Sequence, residues 1–460
     1  RIGQSADVVF SAAIEGKVFA RHGTTIDTRL TVIDKRAAGA EETAPVDIEA
    51  AYHPLCAATA DLLSAVLTHC PERCSPPPCP TSAAVAVPKP ATRTNLHALR
   101  NAARKETRAL AEERAKHPFD DIETEPLDYL PKPWSEPDGA LQDTVYEAYD
   151  LQAIRIDGAA EHPTALVQSA AMASVPPPVP TYRPILPKSL VQEGLLSAPQ
   201  LESAIYAGNA HETHLKGWFK RGEIEGQLMA AAEGDEGTFR LRKGWFLGDG
   251  TGCGKGRQVA GIILDNWLQG RRRAVWVSKS DKLIEDARRD WMALGGRESD
   301  IVPLSKFRQG RDIRLSEGIL FVTYATLRSA EREGKASRLD QVTSWLGESF
   351  DGVIAFDESH AMANAAGEKS DRGDKKASQQ GLVGLALQNA VPDARVLYVS
   401  ATGATVVGNL AYASRLGLWG TGDFPFVTRA EFVAAMEAGG IAAMEMISRD
   451  LKALGLYLAR

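Results

Sequence analysis

Short apolar runs alternate with helix-length segments along the C-terminal part of the chain. Five runs are apolar or nearly so: residues 245–247, 274–277, 319–323, 353–356 and 396–399. A strand that is apolar on both faces needs cover on both faces, which the helices of a parallel sheet supply. The pattern therefore predicts an α/β fold, a parallel sheet with helices on both faces, within residues 186–460.

The N-terminal part of the chain has a weaker pattern. Apolar and β-branched runs at residues 7–10 and 30–33, separated by glycine-containing turn signals, predict short strands. Residues 36–90 are rich in Ala, Pro, Thr and Ser, which indicates a linker around one helix near residues 48–67. Residues 94–116 have the composition of a helix with charges on nearly all sides, which favours a solvated spacer. A DNA-binding arm is the alternative interpretation.

These shifts in composition divide the chain into four regions. A short β segment covers residues 1–36 and a linker and helical region covers 37–150. An entry segment then covers 151–185 and leads into the α/β domain at 186–460.

Composition narrows the class of protein. The formal net charge is −6 and the isoelectric point is near 5.9, so binding to nucleic acid would need local basic patches. Five cysteines in 460 residues suit free thiols of a reducing compartment, and the cytoplasm is the expected location. No run is long enough for a membrane span, and no secretory signal is seen. The first residue, Arg1, indicates a fragment of a longer chain.

A glycine-rich segment carries the clearest chemistry. Residues 248–257 read Gly-Asp-Gly-Thr-Gly-Cys-Gly-Lys-Gly-Arg and lie between a predicted strand and a helix predicted over 255–268. Closely wrapped glycine amides and a helix N-terminus bind phosphate oxygens, and Lys255 can reach the β and γ groups. The segment is therefore interpreted as a P-loop. Its nucleotide-binding candidates are Gly250, Thr251, Gly252, Cys253, Gly254, Lys255, Gly256 and Arg257.

Two acidic residues end a buried strand within residues 353–360, which read Val-Ile-Ala-Phe-Asp-Glu-Ser-His. Ligands bind at the carboxyl edge of an open parallel sheet, where both carboxylates would lie. Asp357 is expected to orient Mg²⁺ through water and Glu358 to polarise the attacking water, with His360 relaying the nucleotide state. Together with Lys255, these three residues are the catalytic candidates for hydrolysis of ATP.

Two P-loop positions depart from the common pattern. Gly256 stands where a Ser or Thr hydroxyl usually holds Mg²⁺, and Asp249 stands where glycine or alanine is usual. Magnesium would then rely on Asp357, on water or on a neighbour such as Thr251.

Together these motifs resemble the strawberry notch family of helicase-like NTPases, in particular its bacterial, plasmid and phage members fused to an adenine methyltransferase. The resemblance is carried by the P-loop and by residues 162–174, 357–360, 400–404 and 415–420. It covers about residues 150–460 and implies a RecA-like P-loop NTPase domain of superfamily 2 that uses ATP and Mg²⁺. In that family Asp249 and Gly256 are ordinary residues.

The resemblance implies roles for residues outside the P-loop. Gln200, at the end of Leu-Ser-Ala-Pro-Gln, is the candidate for adenine recognition, although an ordinary Ser-x-x-Gln helix cap gives the same pattern. Ser400 and Thr402 would couple hydrolysis to movement. DNA, single- or double-stranded, would be contacted through its phosphates by residues that follow two strands: Ser278, Lys279, Thr323, Tyr324 and Thr326.

The family also implies further domains. The first 36 residues resemble the closing strands of the fused methyltransferase, but its cofactor loop and catalytic motif do not occur in this sequence, so no methylation is expected from it. A second RecA-like domain would complete the ATP site, so this fragment should hydrolyse ATP slowly and not unwind DNA. The expected function is the ATPase half of a DNA helicase or translocase in a DNA modification or anti-restriction protein of a mobile element. A nucleotide-dependent scaffold that does not translocate remains the alternative.

Two clusters of side chains allow opposite interpretations. Basic residues at 271–273 and at 306–314 could extend a DNA path or could be solvated faces. His69, Cys70, Cys74 and Cys79 lie close in sequence, but their spacing fits no standard zinc pattern and the prolines around them favour a loop.

Overall fold

The fold is taken from a computed structural model, which divides the chain into two units, Arg1–Arg104 and Lys105–Arg460. The residues that the structure describes are 6–14, 28–35, 55–56, 116–135, 146–222, 228–329, 336–363, 365, 378–401, 410–420 and 423–460. The charged segment 94–115 and the cysteine cluster around Cys74 lie outside the described residues.

The first unit contains a small sheet. Strands Ala6–Ile14 and Thr28–Lys35 pair antiparallel, and Leu55–Cys56 pairs parallel with the end of the first strand. The two strands predicted near residues 7–10 and 30–33 are confirmed. The prediction of one helix over 48–67 is wrong at Leu55–Cys56, because pairing with a distant strand outweighs the local Ala/Leu composition there.

The second unit is built on a seven-stranded parallel sheet. Its strands are Trp245–Leu247 (β1), Arg273–Ser278 (β2), Ile301–Pro303 (β3), Gly318–Thr323 (β4), Val353–Asp357 (β5), Arg395–Val399 (β6) and Tyr457–Leu458 (β7). Their order across the sheet is β3-β4-β2-β5-β6-β1-β7, with every neighbouring pair parallel. The five predicted strands are confirmed, and β3 and β7 are strands that the sequence pattern did not indicate.

Among the residues that the structure describes, six longer helical segments cover this sheet. They are Ala198–His211 (α1), Lys255–Leu268 (α2), Ile284–Met292 (α3), Arg338–Leu346 (α4), Gln379–Ala390 (α5) and Arg429–Ala453 (α6), the last kinked at the non-helical Gly440. Crossovers between parallel strands are right-handed, so the strand order puts α2 and α3 on one face and α4, α5 and α6 on the other. The predicted α/β architecture, with helices on both faces, is therefore confirmed. Within the part of the chain described, none of the helices has the length and apolar character that a bilayer crossing requires.

Shorter elements complete the second unit. Helical turns are Ala170–Ala173, Lys188–Gln192, Asp281–Leu283, Glu298–Asp300, Leu304–Lys306, Tyr324–Leu327, Ser359–Met362 and Ser414–Leu416. Antiparallel strand pairs are Trp218–Arg221 with Leu228–Ala231, Thr124–Pro126 with Ile185–Pro187, Leu130–Pro131 with Ile154–Arg155, and Tyr146–Ala148 with Val167–Ser169.

The packed unit extends further toward the N-terminus than the sequence pattern indicates. Phe119, Leu127 and Tyr129 lie in the region predicted as linker, yet they are buried in the same apolar core as the sheet. Tyr182, in the predicted entry segment, attaches that segment to α2, because its hydroxyl donates a 2.6 Å hydrogen bond to Asp265. Its ring lies where a Cβ at Gly208 on α1 would be, only 1.9 Å away, so glycine is required there.

Candidate active site

The P-loop follows β1, whose three residues are fully buried between β6 and β7. Gly252 and Gly254 have φ values of +95° and +68°, in the left-handed region that glycine adopts without strain. Helix α2 begins at Lys255 and ends at Leu268, as predicted. The loop therefore places backbone amides and a helix N-terminus at the carboxyl edge of the sheet.

Lys255 and Gln200 contact the P-loop backbone. Lys255 Nζ donates a 2.8 Å hydrogen bond to the Gly250 carbonyl, across the mouth of the loop. Gln200 Oε1 accepts from the Ser197 amide at 3.0 Å, and its Nε2 lies 3.4 Å from the Cys253 carbonyl. Gln200 thus fills the capping-box position at the start of α1 and touches the P-loop at the same time.

A buried polar network supports the P-loop from below, and sequence reasoning did not find it. Arg460 Nε donates to Asp249 at 3.0 Å, and its Nη1 lies 3.2 Å from Glu202. Gln258 Nε2 donates both to Asp249, at 2.9 Å, and to the Cys253 carbonyl, at 3.0 Å. The Asp249 side chain therefore anchors the loop to α1, α2 and the segment after β7. Only its departure from the usual glycine or alanine could have marked it.

The acidic pair lies at the end of β5. Ser278 Oγ donates to Asp357 Oδ2 at 3.1 Å, and the Glu358 amide donates to Oδ1 at 3.0 Å. Burial, followed by the charge of Glu358, raises the pKa of Asp357 to about 6. Glu358 has a φ of 51°, the only positive value among the described non-glycine residues. Such backbone strain concentrates at functional sites.

His360 connects the acidic pair to the end of β6. Its Nδ1 lies 3.2 Å from Glu358 Oε2 and 3.2 Å from Ser400 Oγ. Because β6 lies between β5 and β1, Ser400 stands between the acidic pair and the P-loop strand. Thr402, the other expected coupling residue, lies outside the described residues.

A family model described as P-loop containing NTP hydrolase pore-1 matches residues 161–460. The chain belongs to this family. The NTP hydrolase domain is therefore the part of the chain that contains the P-loop, the acidic pair and Ser400.

Similar proteins include strawberry notch homologs of animals and a plant protein. The NTP hydrolase chain is 40% identical over 306 residues to protein strawberry notch homolog 1 of Gallus gallus, an alignment that covers 65% of this chain and 22% of that protein. It is 42% identical over 302 residues to strawberry notch homolog 2 of Mus musculus, covering 65% and 20%. It is 37% identical over 306 residues to protein FORGETTER 1 of Arabidopsis thaliana, covering 65% and 21%. The matched part is thus about a fifth of the length of each relative.

Among solved structures, the Sulfolobus solfataricus SWI2/SNF2 ATPase core in complex with dsDNA is similar over 47% of this chain and 40% of that one. The identity is 15% and the TM-score is 0.32.

The five expected nucleic-acid contacts divide into buried and accessible residues. Lys279 is exposed and Thr326 is half-buried, so both are accessible at the carboxyl edge of the NTP hydrolase sheet. Ser278, Thr323 and Tyr324 are buried. Tyr324 is in the core, where its hydroxyl donates to the Asp357 carbonyl at 2.9 Å, so a direct contact of its side chain with nucleic acid is not compatible with this fold.

The two basic clusters also differ. Arg271 and Arg272 pair with Asp351 at 3.0 Å and Asp120 at 2.6 Å, and Arg273 donates to the Trp345 carbonyl. The side chains of these three arginines therefore bind other parts of the protein at the amino edge of the sheet, which is the edge opposite the P-loop. The cations of the second cluster are all exposed: Lys306, Arg308, Arg311 and Arg314.

The carboxylates fit a magnesium ion that arrives with nucleotide. Mg²⁺ in such sites needs only one or two carboxylates beside phosphate oxygens and water. Asp357 offers one carboxylate, held in place by Ser278. Among the described residues no three His, Cys, Asp or Glu side chains are grouped to hold a metal without a nucleotide.

Proposed function

We propose that this chain is the ATP-binding and hydrolysing half of a DNA-dependent helicase or translocase of superfamily 2. The observation that carries the proposal is the meeting of three groups at one edge of the sheet: the P-loop with Lys255, the acidic pair Asp357–Glu358, and the His360–Ser400 contact. The first two are what ATP hydrolysis needs, and the third is a path from hydrolysis to movement.

In the proposed reaction each group has one task. Lys255 exchanges the Gly250 carbonyl for the β and γ phosphates, which the P-loop amides also hold. Asp357 would hold Mg²⁺ through a water, and that ion would supply neutralisation of charge on the phosphates. Glu358 accepts a hydrogen bond from the attacking water and aligns it with the γ phosphorus. His360, which contacts Glu358 and Ser400, transmits the loss of the γ phosphate to β6.

Recognition of the base and of DNA would use residues around this edge. Gln200 is the proposed adenine contact, since it already touches the P-loop. Lys279 and Thr326 are the proposed phosphate contacts to DNA, because both are accessible where β2 and β4 end. The exposed cations at 306–314 would extend this path.

The proposal for the whole polypeptide rests on the resemblance. A second RecA-like domain would complete the ATP site, and a methyltransferase domain would precede the chain, as the likeness of residues 1–36 to its closing strands indicates. Such an assembly suits DNA modification or anti-restriction in a mobile element.

ATP hydrolysis tests the proposal. The longest polypeptide that contains this chain and its Glu358→Gln variant are assayed with Mg²⁺, with and without single- and double-stranded DNA. Turnover should rise with DNA, and Glu358→Gln should lower it by about 10²- to 10⁴-fold, since a positioned general base contributes that much. Nucleotide binding should stay unchanged in the variant.

One outcome would contradict the assignment as a helicase or translocase. Nucleotide binding without DNA-stimulated turnover would favour a nucleotide-dependent scaffold. Equal turnover in the parent and in Glu358→Gln would remove the assigned role of the acidic pair.

A further inference from the structure

Gly256 lies against the carboxylate of Asp290. A Cβ at residue 256 would lie 2.2 Å from Asp290 Oδ2, closer than any real Cβ contact. Position 256 directly follows Lys255, and in most P-loops its hydroxyl contacts Mg²⁺. The Asp290 carboxylate thus brings an oxygen to the side where that hydroxyl would stand.

Asp290 is largely buried, and one of its two carboxylate oxygens faces an arginine. It lies on α3, which packs against α2, and only 16% of its side chain is exposed. Arg257 Nε lies 3.4 Å from Asp290 Oδ1, which leaves Oδ2 as the oxygen nearest to Gly256. The acidic residue one turn earlier, Asp286, instead pairs with Arg289 at the surface.

We propose that Asp290 replaces the missing P-loop hydroxyl as an oxygen donor to the magnesium ion of bound nucleotide, directly or through one water. Carboxylate oxygen suits Mg²⁺, which commonly takes one or two carboxylates beside phosphates. Asp357 would then be the first carboxylate and Asp290 the second. The inference rests on the proposed function, because the ion arrives with ATP.

The magnesium dependence of nucleotide binding tests this role without relying on turnover. A fluorescent ATP analogue is titrated onto the parent and onto Asp290→Asn at increasing Mg²⁺, and again in EDTA. Asp290→Asn should raise the Mg²⁺ concentration for half-maximal binding by about 10- to 100-fold, the usual cost of removing a metal-positioning group. Binding in EDTA should not weaken. Asp286→Asn, on the same helix, should match the parent.

A double variant separates a metal role from a structural ion pair, because it restores an oxygen while Arg257 stays without its partner. The double change Gly256→Ser with Asp290→Ala moves the oxygen back to the P-loop and should restore the dependence that Asp290→Ala alone loses.

The outcomes distinguish the two proposals. If the parent binds the Mg²⁺–nucleotide complex but Asp290→Asn behaves like the parent, or if Gly256→Ser with Asp290→Ala has the same defect as Asp290→Ala alone, the role of Asp290 is overturned and the proposed function stands. If the parent itself does not bind the analogue with Mg²⁺, both are overturned.

Discussion

Gly254 shows how one missing side chain shapes the nucleotide site. It caps the start of α2 in the left-handed region, with φ of +68° and ψ of 43°. A Cβ there would also lie 2.5 Å from Gln200 Nε2. The backbone therefore favours glycine, and an added Cβ would displace the Gln200 amide.

Replacing Gly254 by alanine should damage stability and binding together. Gly254→Ala should cost roughly 1–2 kcal/mol of unfolding free energy, because an L-residue is strained in the left-handed region. It should also weaken binding of an ATP analogue, since Gln200 must move and the P-loop with it. Chemical denaturation and a binding titration measure the two effects.

Gly270, at the other end of α2, is the matched control. Its φ is +88° and nothing lies within 4 Å of an added Cβ. Gly270→Ala should therefore lose stability while keeping nucleotide binding. A similar loss of binding in both variants would mean that backbone strain alone explains the Gly254 result.

At the scale of elements, His211 joins the end of α1 to β6. Its ring is fully buried, and Nε2 lies 3.1 Å from the Val396 carbonyl. Burial lowers the pKa of His211 to about 3, and the charges of Arg395 and Arg242 act in the same direction. The unfolded chain binds a proton near pH 6.5 and the folded chain does not, so stability is lost as the pH falls from 6.5 toward 3.

His211→Gln should remove this acid sensitivity. Between pH 8 and pH 5 the parent should lose about 2 kcal/mol more unfolding free energy than the variant, since each unit of pKa difference is worth 1.36 kcal/mol. Denaturant unfolding at both pH values measures it. Parallel pH profiles for the two proteins would show that His211 is not the titrating group.

The elements that the sequence predicts well are those with a long, uniform pattern. Four of the apolar runs and α2 extend over enough residues for burial to leave a signal, and the three-residue run of β1 is marked by the P-loop glycines that follow it. Strands β3 and β7 have three and two residues with no motif beside them, and only their neighbours in the sheet define them. Phe119 and Leu127 are irregularly spaced among prolines and acids, so their burial was not visible either.

In the candidate site, too, the sequence predicts contiguous motifs and misses contacts between distant residues. Lys255, Asp357 and Glu358 belong to motifs that are contiguous in sequence, and the topology brings their strand ends to one edge. Asp290 looks like one of several acids on an amphipathic helix, and Tyr324 looks like a surface residue after a strand. Their positions depend on packing between helices and strands that are distant in sequence.

At the scale of the whole molecule, Arg460 ties together distant parts of the chain. Its buried guanidinium contacts Asp249 in the P-loop and Glu202 on α1. Glu202 also accepts a hydrogen bond from Tyr149, in the segment that precedes the NTP hydrolase domain. One cation thus balances two buried carboxylates that have no access to water.

Arg460→Met should destabilise the fold strongly. Loss of the cation leaves the buried Asp249 and Glu202 carboxylates without a compensating charge, with only the hydrogen bonds from Gln258 and Tyr149 remaining. Breaking a buried ion pair in this way costs about 3–5 kcal/mol. Urea unfolding measures it. Arg155→Met is the control, since Arg155 and Asp157 are both 65% exposed and such surface pairs contribute about 0–1 kcal/mol. Equal losses in the two variants would contradict the importance of the buried network.

The position of β1 in the sheet has a consequence for synthesis on the ribosome. Strand β1 begins at residue 245, but its two neighbours begin at residues 395 and 457. Non-local parallel pairing forms slowly and leaves apolar strands exposed until their partners emerge. A nascent chain therefore carries the whole P-loop long before both strands that flank β1 exist, and it should gain affinity for ATP only after β7 has been translated.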